Sequence, residues 1–496
     1  MSTKDDAVEL DQDVARREKY RKLREAGVPL FPYTSARTHE VGEILEAFAG
    51  LTPAELEEKK PAVVVPGRIM SIRRMGKATF FHISDGRRQL QAYIRADKAG
   101  AEAYELFALY DVGDVVSVSG TLFKTRTGEL TVLCDAVAFL AKCLHPLPEK
   151  WHGLQDIELR YRQRYLDLIM NPEVGEVFRL RGAIVAYIRK FFDRRGYLEV
   201  ETPMMHPIPG GALARPFKTF HNALGIDLYL RVAPELYLKR LIVGGLPRVF
   251  EINRSFRNEG IDAQHNPEFT MLEFYEAYKD YYDMMDMTEE LLTGLATDLL
   301  GKEEVPYGEH TISFKRPYKR LKFLDACVHY SGLAPSRFDD PKGLIEFAAG
   351  LAPDKKPQTY GKALDVIFDR FVKDRIVQPT FITNPPREIS PLAKTSRDNP
   401  EEAERFELLV AGMELANAFS ELTDPAEQRA RFEEQAQERR RGDEESHALD
   451  MDYVEALEYG LPPTGGEGIG IDRLTMILAN RKTIREVVLF PLLRPR

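Results

Sequence analysis

Two segments in the second half of the chain constrain its fold most, because both alternate apolar residues with polar, charged or aromatic ones. The first is RVFEINRSFRNEG, residues 248–260, and the second contains PEFTMLEFY, residues 267–275. A period of two is the period of a β-strand, so each strand presents two chemically different faces. On the second strand one face combines an aromatic ring, Phe269, with a carboxylate, Glu273. Inside a large domain such a face indicates a binding site, although a solvated hairpin would show the same alternation.

A third segment, RFELLVAGMELANAFSEL at residues 405–422, brings two acids together. Glu407 and Glu414 would lie on opposite faces of one straight strand, but Gly412 allows a hairpin in which their side chains converge. Two close carboxylates repel each other unless a cation lies between them, and Mg²⁺ with nucleotide phosphates is the simplest such cation. Beyond the turn, one face of the strand adds an amide, an aromatic ring and a further acid: Asn417, Phe419 and Glu421.

The last informative segment is GGEGIGIDRL, residues 465–474, a glycine-rich run that we expect to open a helix with Arg473 in its first turns. Its spacing is not GxGxxG, which disfavours a dinucleotide-binding fold. Arginines, paired carboxylates, a ring for stacking and a glycine-rich approach together describe an ATP site, in which arginine and metal neutralise phosphate charge. The surplus acids favour a cationic second substrate: Glu235, Glu273 and Glu421.

The chain has 496 residues, which is too long for one domain. From residue 62 to about 140, five short β-rich runs surround one helix-permissive stretch, which is the plan of a five-stranded OB-fold β-barrel. After the Pro-punctuated segment HPLPEKWHG, long amphipathic helices mix with strands without βαβ alternation, so an α+β domain with an antiparallel sheet is expected. The predicted domains are a helical extension at 1–60, the OB-fold at 61–145, a linker at 146–160 and the second domain at 161–496.

Composition limits the partners and the compartment. The net charge is −9, so any nucleic-acid surface has to be local. Residues 68–98 hold eight Lys/Arg and two Asp, interleaved with Phe80, Phe81 and Tyr93, which suits single-stranded nucleic acid. At alternating positions at least one of the two phenylalanines has to be barrel core instead. Three scattered cysteines fit a reducing cytosol, and with no apolar run long enough for a membrane span or secretory leader we expect a cytoplasmic protein.

These segments resemble the three motifs of class II aminoacyl-tRNA synthetases and, within that family, the bacterial type of lysyl-tRNA synthetase. Motif 1 resembles the helix and strand at 173–203, motif 2 FRNEG followed by HNPEFTMLEFY, and motif 3 GIGIDR. APELYLKRL and ANAFSEL narrow the resemblance to the lysine enzymes. It implies a catalytic domain whose antiparallel sheet is flanked by helices, an OB-fold that binds the anticodon, and a homodimer formed through motif 1.

The resemblance also implies a role for each site residue. Arg257 would bind the α-phosphate and Arg473 the γ-phosphate of ATP, with Glu259 as a third residue close to the chemistry. Magnesium would be held by Glu407 and Glu414. Further nucleotide contacts would be made by His265 and by Phe269, stacked on adenine. The lysine pocket would be formed by Gly210 or Gly211, Glu235, Glu273, Tyr275, Asn417, Phe419 and Glu421. In the OB-fold, Phe80 would stack on an anticodon base, Gln91 and Glu129 would read base edges and Arg68 would contact phosphate.

The implied reaction activates L-lysine with ATP to lysyl-adenylate and then transfers lysine to the terminal ribose of tRNA(Lys), with Mg²⁺ as cofactor. Positioning and charge neutralisation, rather than a protein nucleophile, would carry it. A lysine ligase that modifies a protein is disfavoured, because relatives of that kind resemble only the catalytic domain, whereas this chain also has an OB segment. An aspartyl- or asparaginyl-tRNA synthetase is disfavoured by the acidic pocket, since an aspartate pocket requires cations. A non-catalytic RNA-binding paralogue is disfavoured, because the chain retains the site residues Arg257, Glu259, Glu407, Glu414 and Arg473.

One position departs from the family pattern. Glu467 stands in the motif 3 glycine run, where many relatives carry a small or apolar residue. An extra acid beside ATP phosphates is unfavourable unless its side chain points away from them.

Overall fold

The computed structural model describes residues 4–148, 154, 156–353, 357–440 and 449–495. Part of the expected linker, residues 149–153 and 155, lies outside the described residues. The chain divides into two compact units, residues 1–176 and 177–496. Within the described part of the chain, no helix combines the length and the apolar character needed to cross a bilayer.

A β-barrel forms the centre of the first unit. Its strands are β1 (Ala62–Met75), β2 (Ala78–Ser84), β3 (Gln89–Arg95), β4 (Val115–Lys124) and β5 (Leu130–Ala141). They close in the order β1-β2-β3-β5-β4, with β3 and β5 parallel and the other neighbours antiparallel. Alternate side chains such as Phe81, Ile83 and Val118 are fully buried inside the barrel. The predicted five-stranded plan is therefore confirmed, with Phe81 as the core phenylalanine.

Helices precede, connect and follow the strands of the barrel. They are α1 (Lys4–Glu25), α2 (Val41–Phe48), α3 (Pro53–Lys59), α4 (Ala96–Ala99), α5 (Ala101–Phe107), α6 (Ile157–Arg162) and α7 (Arg164–Met170). Helices α4 and α5 connect β3 to β4, where the sequence predicts a helix. A buried ammonium, Lys142, pairs with Asp111 at 2.6 Å and Asp114 at 2.9 Å, and Lys19 from α1 adds a pair to Asp111 at 2.5 Å. These charges fasten α1 to the barrel.

An eight-stranded sheet forms the centre of the second unit. The strands of this unit are β6 (Leu198–Glu199), β7 (Met205–His206), β8 (Lys218–His221), β9 (Ile226–Leu230), β10 (Arg248–Phe256), β11 (Glu268–Ala277), β12 (Glu304–Tyr307), β13 (His310–Ser313), β14 (Lys319–Lys322), β15 (Thr380–Thr383), β16 (Arg405–Val410), β17 (Met413–Ser420) and β18 (Thr464–Gly470). The large sheet has the order β14-β15-β16-β17-β18-β11-β10-β6. It is antiparallel except at its two outermost pairs, as the predicted α+β class requires.

Helices flank both faces of this sheet. They are α8 (Pro172–Asp193), α9 (Glu235–Val243), α10 (Tyr281–Leu300), α11 (Phe323–Ser331), α12 (Pro341–Leu351), α13 (Tyr360–Phe371), α14 (Pro425–Arg440), α15 (Met451–Glu458) and α16 (Ile471–Leu478). Phe274 of β11 and Ala418 of β17 share one buried cluster with Phe192 of α8 and Leu291 of α10. One face of the central strands is therefore core, and the opposite face is left for polar side chains.

Two local predictions need refinement. A helix does follow the glycine-rich run, as predicted, beginning at Ile471 with Arg473 in its first turn, but the run itself forms strand β18, residues 464–470, between β11 and β17, which was not predicted. The strand predicted after the motif 1 helix is reduced to Leu198 and Glu199, paired with β10. Cross-strand partners on both sides hold a glycine strand that local propensity disfavours.

Candidate active site

A cavity of about 360 Å³ opens on the polar face of the large sheet. Most residues predicted to bind substrates line it: Gly211, Glu235, Arg257, Glu259, His265, Phe269, Glu273, Tyr275, Glu414, Asn417, Phe419 and Arg473. Three predicted residues are outside the lining. Gly210 is buried next to Gly211, while Glu407 and Glu421 are hydrogen-bonded or ion-paired beneath the surface of the cavity.

Strand pairing explains why these side chains meet. Glu273 on β11 lies opposite Gly468 on β18, which in turn lies opposite Asn417 on β17. In the next row, Tyr275 and Phe419 flank Gly466 in the same way. A Cβ atom on Gly466 would collide with the Glu421 carboxylate and the Tyr275 ring. The glycine strand therefore provides a floor without side chains between two rows of polar and aromatic ones.

Glu467 points to the opposite face of the sheet from these glycines. Its neighbours across the strands, Phe274 and Ala418, belong to the buried core. The Thr288 hydroxyl of α10 donates a hydrogen bond to Glu467 Oε1 at 2.5 Å, and burial raises the pKa of this carboxyl well above its usual range. Glu467 borders the cavity as a residue of β18, but the carboxyl group that departs from the family pattern lies on the core side of the sheet.

The inner end of the cavity is acidic. Burial, together with the carboxylates of Glu235 and Glu251, raises the pKa of Glu273 to about 8, while Arg257 acts in the opposite direction. Burial also raises the pKa values of Glu235 and Glu421. A bound ammonium group would stabilise the ionised form of carboxyl groups whose pKa values are raised in this way.

Three charged residues in this region were missed by the sequence analysis. Lys239 contacts both Glu235, at 2.5 Å, and Glu421. Arg231 pairs with Glu251 at 2.7 Å. The i,i+4 spacing of the glutamate and the lysine in APELYLKRL could have revealed the first pair.

The third missed residue is Arg405, at the other side of the cavity. Its guanidinium donates hydrogen bonds to Asn417 Oδ1 at 3.1 Å and Glu407 Oε1 at 2.7 Å, and to the carbonyl of Ile389 at 3.1 Å. Arg405 thereby fixes two predicted site residues to each other and to the loop beside them.

The outer end of the cavity is basic and aromatic. The Arg257 guanidinium carbon lies 5.1 Å from the centre of the Phe269 ring, and Arg257 Nε is buried without a hydrogen bond to any described residue. Arg473 donates a hydrogen bond to the Glu414 carbonyl at 2.6 Å, and its Nη2 lies 3.1 Å from His265 Nε2. Glu259 is exposed in the loop between β10 and β11. An anion next to a flat ring fits this arrangement.

Glu407 and Glu414 converge through the predicted hairpin. Ala411 and Gly412 have φ values of 53° and 76°, as a tight turn between β16 and β17 requires. Burial and the neighbouring Glu414 carboxylate raise the pKa of Glu407 to about 7, and Glu407 Oε2 is buried without a hydrogen bond to a described residue. Two hard carboxylates with an unused oxygen suit Mg²⁺. The described residues contain no group of three or more metal-ligating side chains, so phosphate oxygens and water would have to complete the coordination.

The predicted anticodon residues lie on the barrel of the first unit. Phe80 is half-buried and stacks on Tyr93, with ring centres 4.1 Å apart. Gln91 donates a hydrogen bond to Glu129 at 2.7 Å. Arg68 donates one to the Gly113 carbonyl at 2.6 Å. Phe80 and Tyr93 together form a partly exposed aromatic surface, and hydrogen-bonding side chains lie beside it.

Both units match known protein families. A sequence profile for tRNA synthetases class II (D, K and N) matches residues 156–494, and one for an OB-fold nucleic acid binding domain matches residues 63–140. The chain is 52% identical to the lysine–tRNA ligase of Pelotomaculum thermopropionicum, over 97% of this chain and 94% of that protein. It is 52% identical to the lysine–tRNA ligase of Carboxydothermus hydrogenoformans, over 97% of each chain. The lysine–tRNA ligase of Bacillus subtilis is 49% identical, over 98% of each chain.

Proposed function

The chain belongs to the class II tRNA synthetases of the D, K and N group, and on that premise we propose that it ligates L-lysine to tRNA(Lys) at the expense of ATP. We infer lysine as the amino acid because the inner end of the cavity is acidic. Glu235, Glu273 and Glu421 are all buried there, and Lys239 contacts only the first and the last of them, so an amino acid with a cationic side chain balances the cluster better than a neutral or acidic one. Aspartate or asparagine would bring no cation to these acids.

ATP occupies the outer end of the cavity in this proposal. Phe269 stacks on the adenine ring, and Glu259 and His265 contact the nucleotide. Arg257 binds the α-phosphate and Arg473 the γ-phosphate, so that cations flank the bond that breaks. Lysine lies further in, with its ammonium groups toward the acids and its alkyl chain along Phe419, between Tyr275 and Asn417, above Gly211.

The chemistry needs no protein nucleophile. The lysine carboxylate attacks the α-phosphorus, the bond to the bridging oxygen breaks, and pyrophosphate leaves. A ribose hydroxyl of tRNA then attacks the adenylate carbonyl and AMP leaves. Arg257 stabilises the charge that develops on the α-phosphate. Glu407 and Glu414 would hold Mg²⁺, which when bound neutralises phosphate charge.

Pyrophosphate exchange with a panel of amino acids tests the function. Incorporation of labelled pyrophosphate into ATP is expected with lysine, and at most weakly with ornithine or arginine. Exchange that depends on aspartate or asparagine would assign the chain to a sister specificity. Charging of tRNA(Lys) then distinguishes a tRNA ligase from a ligase that transfers lysine to a protein.

Phe80→Ala tests the anticodon surface. Stacking of a base on an aromatic ring contributes ~1–3 kcal/mol, so charging of tRNA(Lys) should fall by about one to two orders of magnitude. Exchange should hardly change, because adenylate formation takes place in the second unit. Phe81→Ala is the matched control, since the neighbouring ring is fully buried and its loss should lower the melting temperature. If Phe80→Ala affects melting and both activities in parallel, Phe80 is a packing residue.

The proposed enzyme is a homodimer. The apolar face of α8 packs into its own core through Ile184, Ile188 and Phe192, so the helix does not supply the exposed surface expected from motif 1. The small sheet β7-β9-β8, which follows α8 in the chain, does supply exposed apolar surface. Four of its apolar side chains are between 40% and 68% exposed: Met205, Phe220, Leu224 and Ile226. Met205 and Ile226 lie on one face of this sheet, Phe220 on the other, and Leu224 in the turn between β8 and β9. Exposed apolar side chains around one hairpin favour burial against another chain. Analytical sedimentation should give about twice the 56.6 kDa chain mass, and Phe220→Asp with Leu224→Asp should shift it to the monomer.

We place the enzyme in the cytoplasm. Its cysteines are free thiols, with Cys134 and Cys327 buried and Cys143 partly buried. Thiols of this kind persist in a reducing compartment.

A further inference from the structure

Lys239 lies beneath the inner end of the cavity and is fully buried. Its ammonium nitrogen is 2.5 Å from Glu235 Oε1, one helical turn earlier on α9, and contacts Glu421 Oε2 at the end of β17. It also lies 5.1 Å from the centre of the Phe419 ring. Lys239 itself is not part of the cavity lining, whereas Glu235 and Phe419 are. A resident ammonium therefore already occupies one side of the acid pair.

We propose that Lys239 is a positioning residue for the amino-acid substrate, whose buried ammonium holds Glu235 and Glu421 ionised and oriented toward a second ammonium group in the cavity. The inference rests on the proposed function, because it identifies how the lysine end of that site is prepared. It assigns Lys239 no contact with the substrate.

The geometry of Glu421 supports this role. One oxygen contacts Lys239, while Oε1 is buried without a hydrogen bond to a described residue. Oε1 lies against Gly466, at a point where any Cβ would collide with it, and Gly466 is part of the floor of the cavity. The unused oxygen is thus directed at the cavity through the gap that the glycine leaves. A buried carboxylate oxygen without a donor is costly unless a ligand supplies one.

Charge balance explains why a second cation is needed. The charged groups around Lys239 come from several elements: Glu235 and Arg240 on α9, Glu273 and Tyr275 on β11, Arg405 on β16, Glu421 after β17 and Tyr453 on α15. Three of these groups are carboxyls at the inner end, and Lys239 is the ammonium in direct contact with two of them. Arg405 and Arg257 act on Glu235 and Glu273 through the field alone, so a single ammonium in direct contact with two of three buried carboxyls leaves room for the substrate's ammonium.

Without Lys239 the acids would take up protons instead. Burial raises the pKa values of Glu235 and Glu421, and Lys239 acts on both in the lowering direction. Removal of this ammonium would raise both pKa values further. A protonated carboxyl no longer attracts an ammonium, so lysine use in the variant should require a higher pH.

Lys239→Met, which keeps an unbranched side chain one atom shorter and removes its charge, tests the inference in full-length enzyme. At neutral pH, kcat/KM for lysine in pyrophosphate exchange should fall by about 30-fold or more. The KM for ATP should stay within about threefold of the parent value, and the acidic limb of the pH profile for lysine should move upward by about one unit. Lys239→Arg keeps the charge and should retain the parent's pH profile.

Lys142→Met is the matched control. Lys142 is also a buried lysine between two acids, Asp111 and Asp114, but it lies in the barrel unit. Its loss should lower the melting temperature without any change in the KM for lysine or in the pH profile. The comparison separates the general cost of removing a buried lysine from an effect on recognition.

An unchanged pH profile in Lys239→Met overturns the inference. So does a parallel loss of lysine use, ATP use and melting temperature, because that pattern describes a structural lysine. If the methionine variant does not fold, Lys239→Gln keeps hydrogen-bond donors without the charge and is judged by the same criteria. Failure of the parent enzyme to exchange pyrophosphate with lysine would instead refute the proposed function, and is seen before any variant is made.

Discussion

Glu421→Gln is expected to lower kcat/KM for lysine in pyrophosphate exchange by ~10²–10³-fold, with the KM for ATP changed by less than about threefold. Glutamine has the same shape as glutamate but cannot neutralise an ammonium. The variant also leaves Lys239 without one of its two carboxylate partners. The resident ammonium and the substrate's are then left with Glu235 and Glu273, which makes the loss larger than that of a single contact.

Glu467→Gln provides the control for this change. Glu467 is a buried acid of the same sheet, but it faces the core and accepts a hydrogen bond from Thr288. A glutamine carbonyl accepts the same bond, so lysine and ATP kinetics should stay at the parent level. Equal effects of the two substitutions on lysine use would contradict the assignment of Glu421 to the substrate. Steady-state exchange with lysine and ATP varied separately gives the required constants.

Local alternation was sufficient to predict which faces of the central strands are polar. Residues 248–256 and 268–277 form strands β10 and β11, as their period of two predicts, and Glu251 lies opposite Glu273. The hairpin at Gly412 was predictable for a similar reason, because a glycine between two alternating runs permits the left-handed turn that joins them. In both cases the information is carried by neighbours in the sequence.

The arrangement around Lys239 was not predictable in this way. Its two acid partners come from the same helix and from the residue after a distant strand, and only the tertiary packing of α9 brings Glu421 to the ammonium. The position of the glycine run was missed for the same reason. Gly466 and Gly468 have no side chain to show a strand period, and their conformation is determined by the partners on β11 and β17.

The outer end of the cavity gives the second large expected effect. Arg257→Gln should lower the rate of adenylate formation by ~10²–10³-fold, because a guanidinium placed on a phosphate that gains charge in the transition state contributes most to that step. Arg257 Nε is buried and makes no hydrogen bond to a described residue, so one of its donors is still available for an anion. The guanidinium carbon lies 5.1 Å from the centre of the Phe269 ring, within the range of a cation–π contact.

Arg254→Gln is the matched control for Arg257→Gln. Arg254 is on the same strand run but on the alternate face, and it pairs with Glu268 at 3.4 Å. An exposed ion pair of this kind contributes ~0–1 kcal/mol, so its loss should leave adenylate formation nearly unchanged. Rapid-quench measurement of lysyl-adenylate at saturating ATP separates the chemical step from ATP binding. If Arg257→Gln raises only the KM for ATP and leaves the single-turnover rate intact, Arg257 binds the nucleotide without stabilising the transition state, because uniform binding affects KM alone.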